Sequence, residues 1–252
     1  MIDRATVLTQ AALLRDKMGE DNNSPVDVFA LAQNIEGLTI VFYPLGNNLS
    51  GMCIKGRENN NLIAVNSGMT YGRQRFSLAH EFYHLYYDNN MFTLCAISIN
   101  TGAENERKAD MFASYFLMPE TALAKMANSL IEKNGKNKLF LEDLIRIEQY
   151  FGISHQAAIC RLKDSCFLDE EEANNYAHCS VRNKSEELGY SSHLYRPAPK
   201  ERQCRTFGNY IKQAGQVLSE GIISAGKYVE LLLEAFRADL VYGIEEEGDV
   251  VD

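Results

Sequence analysis

No stretch of this 252-residue sequence is apolar for long enough to cross a bilayer, and Met1-Ile2-Asp3-Arg4 opens without the apolar core of a signal peptide. Repeats and low-complexity segments are missing too. The 6 cysteines (Cys53, Cys95, Cys160, Cys166, Cys179, Cys204) include no C-x-x-C pair, so reduced thiols in a cytoplasmic protein are expected. Cys160, Cys166, His178, Cys179, His193 and Cys204 offer further metal donors, but their spacing fits no standard zinc finger. Positive charge is short: 25 Lys and Arg against 34 Asp and Glu leave a net charge of −9. That balance argues against nonspecific nucleic-acid binding as the main activity. The length suffices for a full core, in one large domain or two small ones.

Histidine is scarce as well, with 5 in the chain, and two of them fall in Ala79-His80-Glu81-Phe82-Tyr83-His84. Histidines four apart on a helix lie one turn above each other, so both imidazoles reach a single ion. Glu81 then projects beside that ion, where it can hold and deprotonate a water. This is the H-E-x-x-H arrangement of zinc peptidases. The plain alternative is a helix that buries two histidines for packing. A catalytic zinc takes three protein ligands, and the next helix supplies candidates. Ala109, Phe112, Ala113, Phe116 and Leu117 recur at helical spacing before Pro119. Glu106 sits at the edge of that stripe, and Asp110 follows one turn later on the same side. Glu106 is preferred as third ligand over Glu104, which falls at or before the helix start. A solvated first-turn acid is the bland alternative for Glu106. Asp110 is placed to accept the free N–H of a ligating histidine; otherwise it caps or solvates its own helix.

Two segments resemble the ImmA/IrrE family of metallo-endopeptidases. They are Phe76-Ser-Leu-Ala-His-Glu-Phe-Tyr-His84 and Glu106-Arg-Lys-Ala-Asp-Met-Phe-Ala-Ser-Tyr-Phe-Leu-Met-Pro119. Leu49-Ser50-Gly51 and Ile63-Ala64-Val65-Asn66 are similar to the two strands that precede the metal helix in that family. The resemblance is strong over about residues 24–120 and weaker to about 165. Farther on it is confined to Gly221-Ile222-Ile223-Ser224 and Tyr228 to Gly243. Many relatives have glycine where this chain has Tyr83, a position expected to face away from the metal. The resemblance implies a protein substrate, a transcriptional repressor with a helix-turn-helix domain, cut in response to stress or mobile-element induction. With about 20 residues before the first family-like helix, any such regulator is expected to be met in trans.

Along the chain, Asp3 to Met18 has a helical period. Ser24-Pro25-Val26-Asp27 reads as a helix start, with Ser24 as N-cap and the helix running to Asn34. Strands are expected at Leu38–Tyr43, Gly51–Lys55 and Leu62–Asn66, the metal helix from Gly72 to Asp88, and the Glu106 helix up to Pro119. The order gives an α+β fold: a small, mainly antiparallel sheet on helices that carry the metal site, then an all-helical C-terminal region. The expected division is a zinc-peptidase domain over 1–120, a helix-turn-helix-like extension over 121–165, and a partner-binding or regulatory helical region over 166–252. Leu62–Asn66 is the candidate to take a substrate backbone as an added strand, or is an ordinary core strand. Residues 141–165 outline a helix-turn-helix with Gly152 at the turn and Ser154 as N-cap. Its second helix offers only Arg161 and Lys163, late, with His155 and Gln156 early, so it reads as a packing motif. A charged helix over Asp169–Leu188 and a loop with Pro197 and Pro199 follow. Phe207–Ser219 and Lys227–Tyr242 read as two further helices, with a frayed acidic tail at Glu245–Asp249.

The chemistry expected is zinc-dependent peptide hydrolysis, with one Zn2+ per chain held by His80, His84 and Glu106 and Glu81 as general base. Manganese or iron can occupy the same ligand set. The sequence does not single out an oxyanion donor among 13 Tyr and three other histidines. Two other classes stay open: a binding module that keeps the metal for structure, and a DNA-binding regulator acting through residues 141–165.

Overall fold

The computed structural model describes residues 3–98, 103–135 and 138–244, and the acidic tail lies outside them. The fold is α+β. Helix α1 (Arg4–Lys17) is capped by Asp3, whose carboxylate accepts from the N–H groups of Ala5 and Thr6. Helix α2 (Val28–Gln33) is capped by Asp27 rather than Ser24. The reason lies in the preceding carbonyls. Ser24 O accepts from Arg15 Nη2 at 2.6 Å and Val26 O from Arg75 Nη2 at 2.5 Å, so residues 24–26 stay outside the helix, which is capped three residues later.

Five strands follow: β1 (Leu38–Tyr43), β2 (Leu49–Ile54), β3 (Asn61–Asn66), β4 (Phe92–Ala96) and β5 (Arg205–Gly208). They form one sheet in the order β4-β2-β3-β1-β5. Only β1 and β3 run parallel; the other pairings are antiparallel. Two strands were not expected from the sequence, β4 and β5, and they form the two edges. The third strand, considered above for substrate addition, is therefore central: both its edges are taken, by β1 and β2.

Helix α3 (Tyr71–Tyr87) lies against β2 and β3, with Gly72 and every residue from Gln74 to His84 buried. Helix α4 (Glu104–Leu117) packs on α3, and α1 packs on α4. Phe82 of α3 meets Phe116 of α4 edge-on at 5.7 Å, and Phe112 stacks on Phe116 at 5.7 Å. This aromatic contact fixes how the two helices face each other.

Helices α5 (Glu120–Asn134), α6 (Leu141–Phe151) and α7 (His155–Asp164) come next. The α6–α7 turn is as expected: Gly152 is left-handed with φ 65°, and Ser154 Oγ accepts from Ala157 N. Arg75 of α3 donates to Gly152 O at 2.8 Å, tying the metal helix to this turn. Arg161 of α7 is 1% exposed; it lies over the Tyr115 ring at 4.1 Å and donates to Glu120 Oε2 at 2.7 Å. It is not available to a phosphate backbone.

The charged segment is two helices, α8 (Glu170–Ala177) and α9 (Val181–Glu187), rather than one. The break falls at His178-Cys179-Ser180. The chain then returns to the sheet as β5 and ends in α10 (Asn209–Ser219), α11 (Ala225–Glu234) and α12 (Ala238–Tyr242). The last expected helix thus divides after Glu234, where Phe236 takes a left-handed φ of 58°. Among the described residues no helix is long and apolar enough to cross a membrane.

Candidate metal centre

Helix α3 presents His80 and His84 one turn apart, and their Nε2 atoms stand 3.1 Å from each other. Glu106, from the first turn of α4, reaches both: its Oε2 is 3.4 Å from His80 Nε2 and its Oε1 is 3.4 Å from His84 Nε2. Donors at about 2.1 Å from a tetrahedral ion would stand about 3.4 Å apart. The spacing fits a metal ion.

The ring tautomers fit too. His80 Nδ1 lies 2.9 Å from Asp110 Oδ1, and His84 Nδ1 lies 2.9 Å from Asp88 Oδ2. Each carboxylate accepts the Nδ1 proton and leaves the Nε2 lone pair aimed at the common centre. Two lone pairs and a carboxylate converging on one point call for a cation. Without one, a proton takes its place. Burial works against a charged His80, but bonds to Asp110 and Glu106, with Glu81 nearby, outweigh it and raise its pKa to about 10. His84 is lowered, by burial and by its neighbour His80.

Glu81 is fully buried, and neither carboxylate oxygen has a hydrogen bond. Burial pushes its pKa up to about 7, against the pull of His80. Space for it comes from Gly51 on β2, where an added Cβ would sit 2.6 Å from Glu81 Oε1 and 3.0 Å from the Ala64 carbonyl. A side chain at that position would push the carboxylate out of place.

The structure thus brings together His80, Glu81, His84, Glu106 and Asp110, the residues singled out in the sequence. Glu104 is elsewhere: it is exposed and pairs with Lys108 at 2.8 Å. Tyr83 fills the α3–α4 interface, its ring 5.8 Å from both Phe112 and His84. Two residues were missed. Asp88 stands one turn after His84, the same spacing that pointed to Asp110. Cys95 arrives on β4, and its Sγ lies within 4.8 Å of the donor atoms of His80, His84 and Glu106. Burial and the carboxylates of Glu81 and Glu106 push its thiol far above the ordinary cysteine range. Among the described residues no other group of His, Cys, Asp and Glu is close enough to hold a metal.

A small recess beside His80 and Asp110 is lined by Ser50, Arg73 and Ile97. Arg73 and Ile97 also line a groove of about 610 Å³ with His155, Arg182 and Tyr195. A cavity of similar size, about 620 Å³ around Lys17, Leu31 and Tyr86, contains none of the donors.

Compared with known families, residues 34–163 match the M78 peptidase model described as the IrrE N-terminal-like domain, 130 of the 252 residues. No curated protein matches the chain.

Proposed function

The chain belongs to this M78 peptidase family, and from that premise we propose that it is a zinc-dependent endopeptidase acting on one specific protein. The substrate class proposed is a helix-turn-helix transcriptional repressor, cut in a cytoplasmic stress or mobile-element response. The observation that carries the reading is the Glu81 carboxylate, wholly buried, next in sequence to a metal-facing histidine and unbonded on both oxygens. A metal held only for structure gives such a group no role, and burying it unpaired costs on the order of a few kcal/mol.

His80, His84 and Glu106 would hold the ion. When bound, it supplies a Lewis acid that polarises the scissile carbonyl and acidifies a water. Glu81 takes the proton of the attacking water and hands it to the leaving amine; a pKa near neutrality suits both transfers. Asp110 and Asp88 keep the imidazoles in the tautomer that the ion requires. Substrate backbone adds along β4, the sheet edge nearest these residues, where no described strand occupies the outer side. Phe92 and Leu94 are half-exposed on that strand and offer apolar contacts to the added chain.

The test separates metal binding from turnover. Elemental analysis of the purified protein is expected to find close to one zinc per chain, lost in His84→Ala. Incubated with a helix-turn-helix repressor from the same genome, chosen from neighbouring genes, the wild type is expected to give discrete fragments by mass spectrometry. Glu81→Gln should keep the zinc and the fold and yield no fragments, because an amide cannot take the water proton. A Glu81→Gln protein that cuts as fast as the wild type refutes the mechanism.

A further inference from the structure

One donor in the ligand group has no part in the peptidase chemistry. Cys95 is fully buried, and its Sγ shares with His80, His84 and Glu106 a cluster whose atoms all lie within 4.8 Å of one another. The placement is built into the sheet. Cys95 pairs with Gly51 across the β2–β4 ladder, and Ser50 Oγ donates to the carbonyls of Cys95 at 3.2 Å and Ala96 at 2.9 Å. Strand alternation turns Thr93 and Cys95 inward while Phe92, Leu94 and Ala96 face out. The Glu81 carboxylate, packed on the same Gly51, faces the Cys95 thiol, so the general base and the sulfur share one buried pocket with the ligand group.

Building on the metal centre of the proposed function, we propose that Cys95 is a fourth protein ligand, so that the metal-loaded enzyme rests in a closed, latent state. Catalytic zinc sites keep one position open for water, whereas four protein donors fill a tetrahedral zinc. A soft thiolate competes well with water for zinc. On binding, the thiol gives up its proton to solvent, and no electron transfer is involved. A purely structural centre of the same four donors would not need Glu81; a latent one does. The choice of strand also matters. Cys95 sits on an edge strand that, among the described residues, is bonded to β2 alone, so a small shift of β4 withdraws the thiol without breaking the centre of the sheet. A substrate strand added along that free edge is the agent placed to cause the shift. Substrate docking and opening of the metal are then one event.

X-ray absorption at the zinc edge of the full-length, zinc-loaded wild type tests this directly. The expected shell contains one sulfur at about 2.3 Å among nitrogen and oxygen neighbours at about 2.0–2.1 Å. The cobalt-substituted wild type should show a thiolate-to-cobalt charge-transfer band that millimolar acetohydroxamate leaves unchanged. Cys95→Ala should keep one equivalent of metal, lose the sulfur and the band, and gain a cobalt spectrum that responds to acetohydroxamate. A wild-type zinc shell of nitrogen and oxygen alone overturns the thiolate ligand and leaves the peptidase reading standing. Zinc that does not bind at all overturns both. A wild-type cobalt spectrum that responds to acetohydroxamate as readily as the variant's overturns the latent state, and the wild-type measurements decide even if the variant does not fold.

Discussion

His80 and His84 each have one ring nitrogen engaged by a carboxylate, and this dictates how the pair responds to pH. His80 holds its proton up to about pH 10, because Asp110, Glu106 and Glu81 outweigh the cost of burial. A metal ion bound here must displace that proton, so the affinity for added zinc should rise with pH below that value, about tenfold per unit for one proton released. His84, lowered already, adds little. Chelator-competition titrations between about pH 6 and 8 read the slope; a flat line contradicts it. The carboxylates behind the rings carry a second expectation. Asp110→Ala and Asp88→Ala should each weaken zinc binding or activity by about 10- to 100-fold, read by the same titration, with little change in melting temperature for Asp110→Ala. Unchanged affinity in both would reduce these contacts to incidental packing. Four of these positions were legible in the sequence because they obey helix geometry: His80 to His84 and Glu106 to Asp110 are both one turn apart. Asp88 obeys the same rule and was readable, being one turn beyond His84. Cys95 was not, since no local period links a strand residue to a helical histidine eleven residues upstream.

At the scale of elements, the helices were easier to read than the strand edges. Helix α3 is 17 residues long and carries His80 and His84 one turn apart, both local features. Strand β4 was hidden because its outward residues, Phe92 and Leu94, are apolar, so Met91 to Ala96 lacks the polar–apolar alternation that marks a half-buried strand. Strand β5 is 4 residues long and finds its partner far away in the chain. Helix α2 starts later than its local sequence indicates for another reason: the Ser24 and Val26 carbonyls are used by Arg15 and Arg75, contacts that the local sequence does not reveal. Arg15 shows how much depends on such contacts. It is fully buried and donates at 2.6 Å to each of three carbonyls, those of Asp21, Ser24 and Phe116. It therefore joins α1, the following loop and the end of α4. Arg15→Met keeps the stem's packing and removes all three bonds, so it should destabilise the protein by roughly 3 kcal/mol or more. Urea unfolding measures this, and a loss under about 1 kcal/mol would show that water replaces the guanidinium.

For the molecule as a whole, β5 and α10, late in the chain, are bound to the sheet that lies beside the candidate metal centre. Thr39 pairs with Gly208 and Phe42 with Arg205, and α10 packs on both β1 and β5. A chain ending at residue 204 would lose β5 and leave β1 as a bare edge. That edge carries Ile40 and Phe42, and an unprotected edge of this kind invites pairing between molecules. The shortened protein should melt at a lower temperature and form oligomers by light scattering at concentrations where the full chain does not. A monomer of unchanged melting temperature would show that the fold up to residue 204 stands without its last strand.

The same pairing sets a timetable for the newborn chain. Thr39 must wait for Gly208, which emerges 169 residues later. At ribosomal rates of about 5–20 residues per second, the far side of the sheet stays open for roughly ten to thirty seconds. Meanwhile His80, His84 and Glu106 have already left the tunnel and can gather around an ion through contacts that span fewer than thirty residues. Capture of an ion can therefore precede completion of the sheet, so the supply of the metal that this centre takes would act on the chain during translation and not only afterwards.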